Sequence, residues 1–150
     1  MARNTISTHA PPEAVFAVLD DPYAYPRWVV GARRVRSVDP TWPAVGSRFH
    51  HAVGTPLGEL HDSSKVLLRE PPTHLLLEVR FRPTGIAHVD IRVRPNGSGS
   101  TIVMEETPTG PPFAFLPRLI TDPVLTLRNA ISLQRLRHEV ERSTESASAR

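Results

Sequence analysis

Two places in the sequence bring titratable side chains together through strand alternation. In residues 47–53, Phe49 and Val53 facing inward would carry His51 inward with them. In residues 59–69, inward Leu60, Val66 and Leu68 would set Asp62 and Ser64 on the same face. A symmetric hairpin through residues 55–58 would then place His51 opposite Asp62. Such a pair inside a pocket is a proton-transfer unit, with the carboxylate orienting the imidazole. The plainer alternative is a partly exposed polar pair at the edge of the sheet.

Glu105 and Glu106 form the second candidate, because one of them must face inward if the strand stays regular. Inward Thr101 and Val103 would choose Glu105, whereas inward Ile102 and Met104 would choose Glu106. A buried carboxylate with a raised pKa makes a good general base; a strand-end carboxylate that reaches water does not. The candidate catalytic set is therefore His51, Asp62 and Glu105, and Asn129 would offer one amide from the last helix.

Other chemistry finds little support. There are seven histidines, but His50 and His51 fall on opposite faces of a strand, and no helical His-x-x-x-His or Cys/His spacing accompanies them. No metal site is expected. The sequence has no Gly-x-Gly-x-x-Gly, Walker-type loop or Gly-x-Ser-x-Gly elbow, so no cofactor is expected and serine hydrolysis is unsupported. Arg69, Arg80, Arg82, Arg92 and Arg94 are expected on the outer sheet face, interleaved with Glu78, Asp90 and His88. A solvated face with cross-strand ion pairs is the ordinary reading; an RNA- or protein-interaction module is the alternative, although no aromatics interleave for base stacking.

The elements that must position these groups follow from composition and pattern. A chain of 150 residues, 39% apolar and 22% charged, suits one globular domain. The formal net charge is only +3, and of 18 basic residues Lys65 is the one lysine. An Arg-over-Lys bias of this kind does not by itself indicate nucleic acid, and no DNA partner is expected. The absence of cysteine excludes disulfides and thiolate chemistry. No targeting signal follows Met1, and no stretch approaches the ~20 apolar residues of a membrane span. The expectation is a cytoplasmic protein without integral membrane association.

Residues 4–9 read as a first strand. Pro11-Pro12-Glu13 opens a helix that Asp20-Asp21-Pro22 ends, and residues 23–30 form a second short helix or turn. Six strand runs follow, at 33–38, 47–53, 59–69, 74–82, 87–94 and 101–106, separated by Gly, Pro and Asn breaks. Short breaks imply hairpins and an antiparallel meander. Asp122-Pro123 is read as the opening of the longest helix, whose inner stripe is Leu125, Asn129, Leu133, Leu136 and Val140, widened by Val124, Leu127 and Ile131. Residues 143–150 are small and polar and are read as a flexible tail beyond a single domain of residues 1–142. A sheet with one apolar face and one long amphipathic helix must pack together. The fold class is thus α+β: a curved antiparallel sheet of about seven strands around a long C-terminal helix, with a cavity between them.

The order of motifs resembles the START-like, or SRPBCC, superfamily of polyketide cyclase/dehydrase and lipid-transport-type helix-grip proteins. The residues that carry the resemblance are Ile6 with Ala10-Pro11-Pro12-Glu13-Ala14-Val15-Phe16, then Tyr25-Pro26-Arg27-Trp28-Val29-Val30-Gly31 and Trp42-Pro43-Ala44-Val45-Gly46-Ser47-Arg48-Phe49. Gly99-Ser100-Thr101 and the helix containing Arg128-Asn129 and Leu133-Gln134-Arg135-Leu136 complete it. The resemblance implies a helix-grip fold and leaves function open, since such folds serve as carriers, cyclases, receptors and co-chaperones. Together the readings favour an internal site for a small hydrophobic or amphipathic ligand such as a lipid, polyketide or aromatic metabolite. Its expected wall is Trp28, Phe49, Val53, Leu77, Val79 and Phe81. Val89, Ile91 and Asn129 would extend that wall, and Phe113, Phe115 and Leu119 would form a lid. A cyclase or dehydratase using His51, Asp62 and Glu105 is the enzymatic alternative. The sequence does not indicate an oligomeric state.

Overall fold

The computed structural model describes residues 1–81, 85–111, 115 and 117–149. Its elements are β1 (Ala2–Thr8), α1 (Pro12–Asp20), a 3-10 turn (Pro22–Ala24), α2 (Tyr25–Trp28), β2 (Ala32–Val38), β3 (Arg48–Thr55), β4 (Gly58–Glu70), β5 (His74–Phe81), β6 (Gly85–Asn96), β7 (Gly99–Pro108) and α3 (Arg118–Ser148). The seven strands form one antiparallel sheet in the order β1-β7-β6-β5-β4-β3-β2. Hairpin connections dictate every neighbour from β2 to β7; β1 then closes the far edge on β7, with Ala2 opposite Glu106.

The core forms where the apolar face of the sheet meets the helices. Leu75, Leu77 and Val79 of β5, Ile91 and Val93 of β6, and Ile102 and Met104 of β7 are buried there. Val15, Phe16 and Leu19 of α1 and Leu133, Leu136 and Val140 of α3 meet them in one cluster. Gly99 permits a close approach: a side chain there would collide with the Thr8 carbonyl. Beside it the Ser100 hydroxyl donates to the Ala10 carbonyl at 2.8 Å, fastening β7 to the turn before α1.

Three details differ from the sequence expectations. First, α3 begins at Arg118 with Pro117 as its N-cap, so Pro123 lies inside the helix rather than in its first turn. The missing N–H there forgoes the helical hydrogen bond to the residue one turn before. Second, residues 143–148, read as a tail, continue α3 to Ser148, since nothing in their small side chains obliges the helix to stop. Third, Arg69 does not join the outer arginines. A register shift between Val66 and Leu68 reverses the alternation of β4, so Arg69 stands opposite buried Leu75. There it makes a two-point ion pair with Asp20 of α1, at 2.9 and 2.6 Å, and lies over the Phe16 ring. Arg92 and Arg94 are exposed and face outward as expected, while Arg82 lies outside the described residues.

Candidate functional site

Alternation along β7 decides between the two adjacent glutamates. Ile102, Met104 and Glu106 are buried at 0%, 3% and 1% exposure, so Glu106 is the inward carboxylate. Glu105 points the other way and stands 3.5 Å from Arg3 on β1. This corrects the candidate set: Glu105 cannot serve an internal site, because its neighbours Thr101 and Val103 do not belong to the buried face.

Glu106 meets α3 at Asn129, itself 1% exposed. The Asn129 Nδ2 donates to Glu106 Oε2 at 2.8 Å, and the Arg128 guanidinium lies 3.6 Å from the same oxygen. The other oxygen, Oε1, is buried with no hydrogen-bond partner among the described residues. Arg128 also donates to the Val30 carbonyl at 3.3 Å, and the Val30 N–H donates to Ser132 Oγ at 3.1 Å. These bonds hang the chain after α2 on the polar edge of α3's inner stripe.

A pocket opens around this cluster between the sheet and the two helices. Its sheet wall is Leu77, Val79, Val89, Met104 and Glu106. The helix side supplies Tyr25, Trp28, Arg128, Asn129 and Ser132, with Val29 following α2. The lining is mainly apolar, with its polar groups gathered at one end, as small-molecule sites usually are. The space that the centre of a water molecule can occupy is about 20 Å³, room for roughly one water. The internal cavity expected from the sequence is therefore mostly filled by side chains in this conformation.

Of the expected wall, Trp28, Leu77, Val79, Val89 and Asn129 line this pocket. Ile91 is fully buried core, and Phe49 is packed edge-on against Tyr25 and Trp42, so both stand behind the lining. Val53, near the end of β3, is only half-buried. Phe115 and Leu119 are 81% and 89% exposed and form no lid over the pocket. Because α3 starts five residues earlier than expected, Leu119 sits in its first turn on the solvent side. Val124, Leu127 and Ile131 do not widen the inner stripe and are 62%, 65% and 39% exposed. The Phe81 side chain and Phe113 lie outside the described residues. Sequence reasoning missed Tyr25, Val29, Met104, Arg128 and Ser132. The signals for Arg128 and Ser132 were their positions beside and one turn after Asn129.

The other expected pair is half assembled. His51 and Asp62 are register partners across β3 and β4, both buried. The imidazole, however, hydrogen-bonds Ser64, with Nε2 3.3 Å from Oγ, and its Nδ1 has no partner among the described residues. The ring is packed against Tyr25 and Phe49, with centroids 5.1 and 5.4 Å away. Burial, reinforced by the positive charges of Arg36, His50 and Arg128, pulls its pKa down to about 4. The imidazole is thus neutral at neutral pH. Burial also pushes the Tyr25 phenol up, against the opposing influence of Arg128 and of its hydrogen bond with Ser64. Tyr25 separates His51 from the pocket, so His51, Asp62 and Glu105 do not converge on one cavity. Among the described residues, no three His, Asp or Glu side chains group to hold a metal ion, and no helix is long and apolar enough to cross a membrane.

A long helix gripped by a seven-stranded antiparallel sheet, with a pocket between them, defines a helix-grip protein of the SRPBCC type. The family model described as polyketide cyclase/dehydrase and lipid transport matches residues 2–141, and the chain belongs to that family. Solved structures of similar fold include protein CV1439 from Chromobacterium violaceum, at 22% identity and TM-score 0.72, covering 93% of this chain and 96% of that one. Ara h 8.0201 matches at 14% identity and TM-score 0.71, over 92% and 95% of the two chains. DynU16, a putative protein in the dynemicin biosynthetic locus, matches at 18% identity and TM-score 0.66, over 93% of this chain and 46% of that one. Among curated proteins none matches.

Proposed function

We propose that this protein binds a small amphipathic molecule between the sheet and α3. Its apolar body would lie against Leu77, Val79, Val89, Met104 and Trp28, and a hydroxyl or amine at its polar end would donate to Glu106. The observation that carries this reading is Glu106 Oε1, a carboxylate oxygen buried without a partner in an otherwise mainly apolar lining. An unmatched buried acceptor costs about 1–3 kcal/mol, and a donor brought by a ligand would recover much of it. The family's lipid-transport and cyclase/dehydrase description is consistent with such a ligand.

The present void is too small for anything beyond a water, so binding must widen the pocket. Parting α2 from α3 would do so, and it would have to break the Val30 contacts with Ser132 and Arg128 that hold them near the pocket. The proton-transfer reading through His51, Asp62 and Glu105 is not carried forward, because those groups do not meet in the pocket. The test is native mass spectrometry of the purified protein, followed by a thermal-shift screen of fatty alcohols, fatty amines and hydroxylated polyaromatics. A ligand specific to the folded form raises the melting temperature and changes Trp28 fluorescence. Glu106→Gln should weaken the donor-bearing ligands more than their methyl ethers. Finding no ligand in either experiment, or an identical loss for both ligand types, would refute the proposal.

A further inference from the structure

The opposite face of the same sheet carries a second recess, across β2, β3, β4 and β5. His50, Ser63 and Arg80 stand in one cross-strand row, since His50 pairs with Ser63 and Ser63 with Arg80. On β2 the register slips between Val35 and Ser37, leaving Arg36 as the extra residue beside this row. A bulge of this kind re-aims a side chain, and here Arg36 becomes one wall of the recess. Arg48 and His61 border it on neighbouring rows. The volume is about 530 Å³, within the range of small-molecule sites.

Charge gives the recess its character. Arg3, Arg27, Arg34, Arg69, Arg92, Arg128 and Arg142 each pair with a carboxylate. The side chains of Arg36, Arg48 and Arg80 make no ion pair or hydrogen bond with a described residue, yet all three face one recess. Asp62, 3% exposed, also borders it, so among the described residues three guanidiniums stand around one carboxylate. The Ser63 hydroxyl and the imidazoles of His50 and His61 add neutral or positive donors. Guanidiniums match the planar, two-oxygen faces of phosphate and carboxylate groups. From β2 to β5 the row spans three interstrand steps, about 14 Å, more than one phosphate can bridge. Among the described residues, no Trp, Tyr or Phe and no aliphatic side chain borders the recess, which disfavours base stacking and lipid tails alike.

We infer that this outer recess is a binding site for a small soluble anion with two or more phosphate-type groups, distinct from the internal pocket and independent of its ligand. The test is isothermal titration of the full chain with sodium pyrophosphate and, separately, inorganic phosphate, at about 150 mM chloride, where loose surface contacts are screened. Pyrophosphate should bind saturably at one site and at least tenfold more tightly than phosphate. Arg36→Gln with Arg80→Gln should weaken it at least tenfold, whereas Arg94→Gln, on the exposed part of β6 outside the recess, should leave it unchanged. Circular dichroism and the melting temperature of the double variant check that it remains folded. If that variant does not fold, Arg48→Gln alone, at the rim, should still give a severalfold loss. Absence of saturable pyrophosphate binding, an equal loss in Arg94→Gln, or binding of single-stranded RNA where pyrophosphate fails would each overturn the inference.

Discussion

His51 offers the sharpest test of how burial sets chemistry in this fold. It is 1% exposed, its Nδ1 has no partner among the described residues, and its pKa is pulled from 6.5 to about 4. The groups around it are Arg36 on β2, His50 on its own strand, Asp62 and Ser64 on β4, Tyr25 on α2 and Arg128 on α3. The folded state therefore resists protonation at His51, while the unfolded chain takes the proton near pH 6.5. Between these two values the unfolded state binds more protons, so stability falls as pH falls. The loss is small at pH 7, about 2 kcal/mol at pH 5, and levels off near 3 kcal/mol below pH 4.

The matched variant is His51→Phe, which keeps the ring packing against Tyr25 and Phe49 but cannot titrate. At pH 7 it should cost about 1 kcal/mol through the lost Ser64 hydrogen bond, which Tyr25 partly replaces. Urea unfolding of both proteins at pH 7 and pH 5 isolates the effect, because other groups cancel in the double difference. The wild type should lose about 2 kcal/mol more than the variant between those two values. Equal losses would mean that His51 titrates as it does in the unfolded chain, and the burial reasoning would fail.

Two further outcomes follow from the same geometry. Asn129→Ala strips Glu106 of its 2.8 Å donor and should cost about 1–3 kcal/mol in denaturant unfolding, whereas Glu105→Gln should stay within about 0.5 kcal/mol. On α3, Leu136→Ala empties a fully buried position and should cost about 2–5 kcal/mol; Leu127→Ala, at 65% exposure, should change stability by less than about 0.5 kcal/mol.

The sequence revealed most of the sheet because hairpin breaks and period-two alternation are local signals. β5 illustrates this: Leu75, Leu77 and Val79 recur at every second position, with polar Glu78 and Arg80 on the other face, and the structure buries all three. What it did not reveal depends on single-residue slips. The register shift beside Val66 sends Arg69 to Asp20, and the one at Arg36 builds the outer recess; neither has a local sequence mark such as glycine. Glu105 and Glu106 could be told apart only by fixing the parity of β7, which follows from its pairing with β1 and β6 across distant sequence. The start of α3 was obscured by Asp122-Pro123, an attractive cap and first-turn proline that the structure uses inside a longer helix. Pocket volume is the least local property of all, since it depends on how completely Trp28, Met104 and their neighbours fill the space.

The two faces of β3 also couple the outer recess to His51. His50 borders the outer recess while His51, the next residue, lies in the inner layer, and Arg36 reaches both: it borders the recess and holds the His51 pKa down. An anion held by Arg36 would offset part of that positive field, so proton affinity at His51 should rise when the recess is filled. Linkage makes the effect reciprocal, with protonated His51 favouring the anion by the same factor. Removing the charge with Arg36→Gln should mimic occupancy. An NMR titration of the His51 ring should therefore move upward from about 4 in Arg36→Gln and in wild-type protein saturated with pyrophosphate. An unmoved midpoint in Arg36→Gln would show that Arg36 has no part in setting it, and the two faces would then act independently.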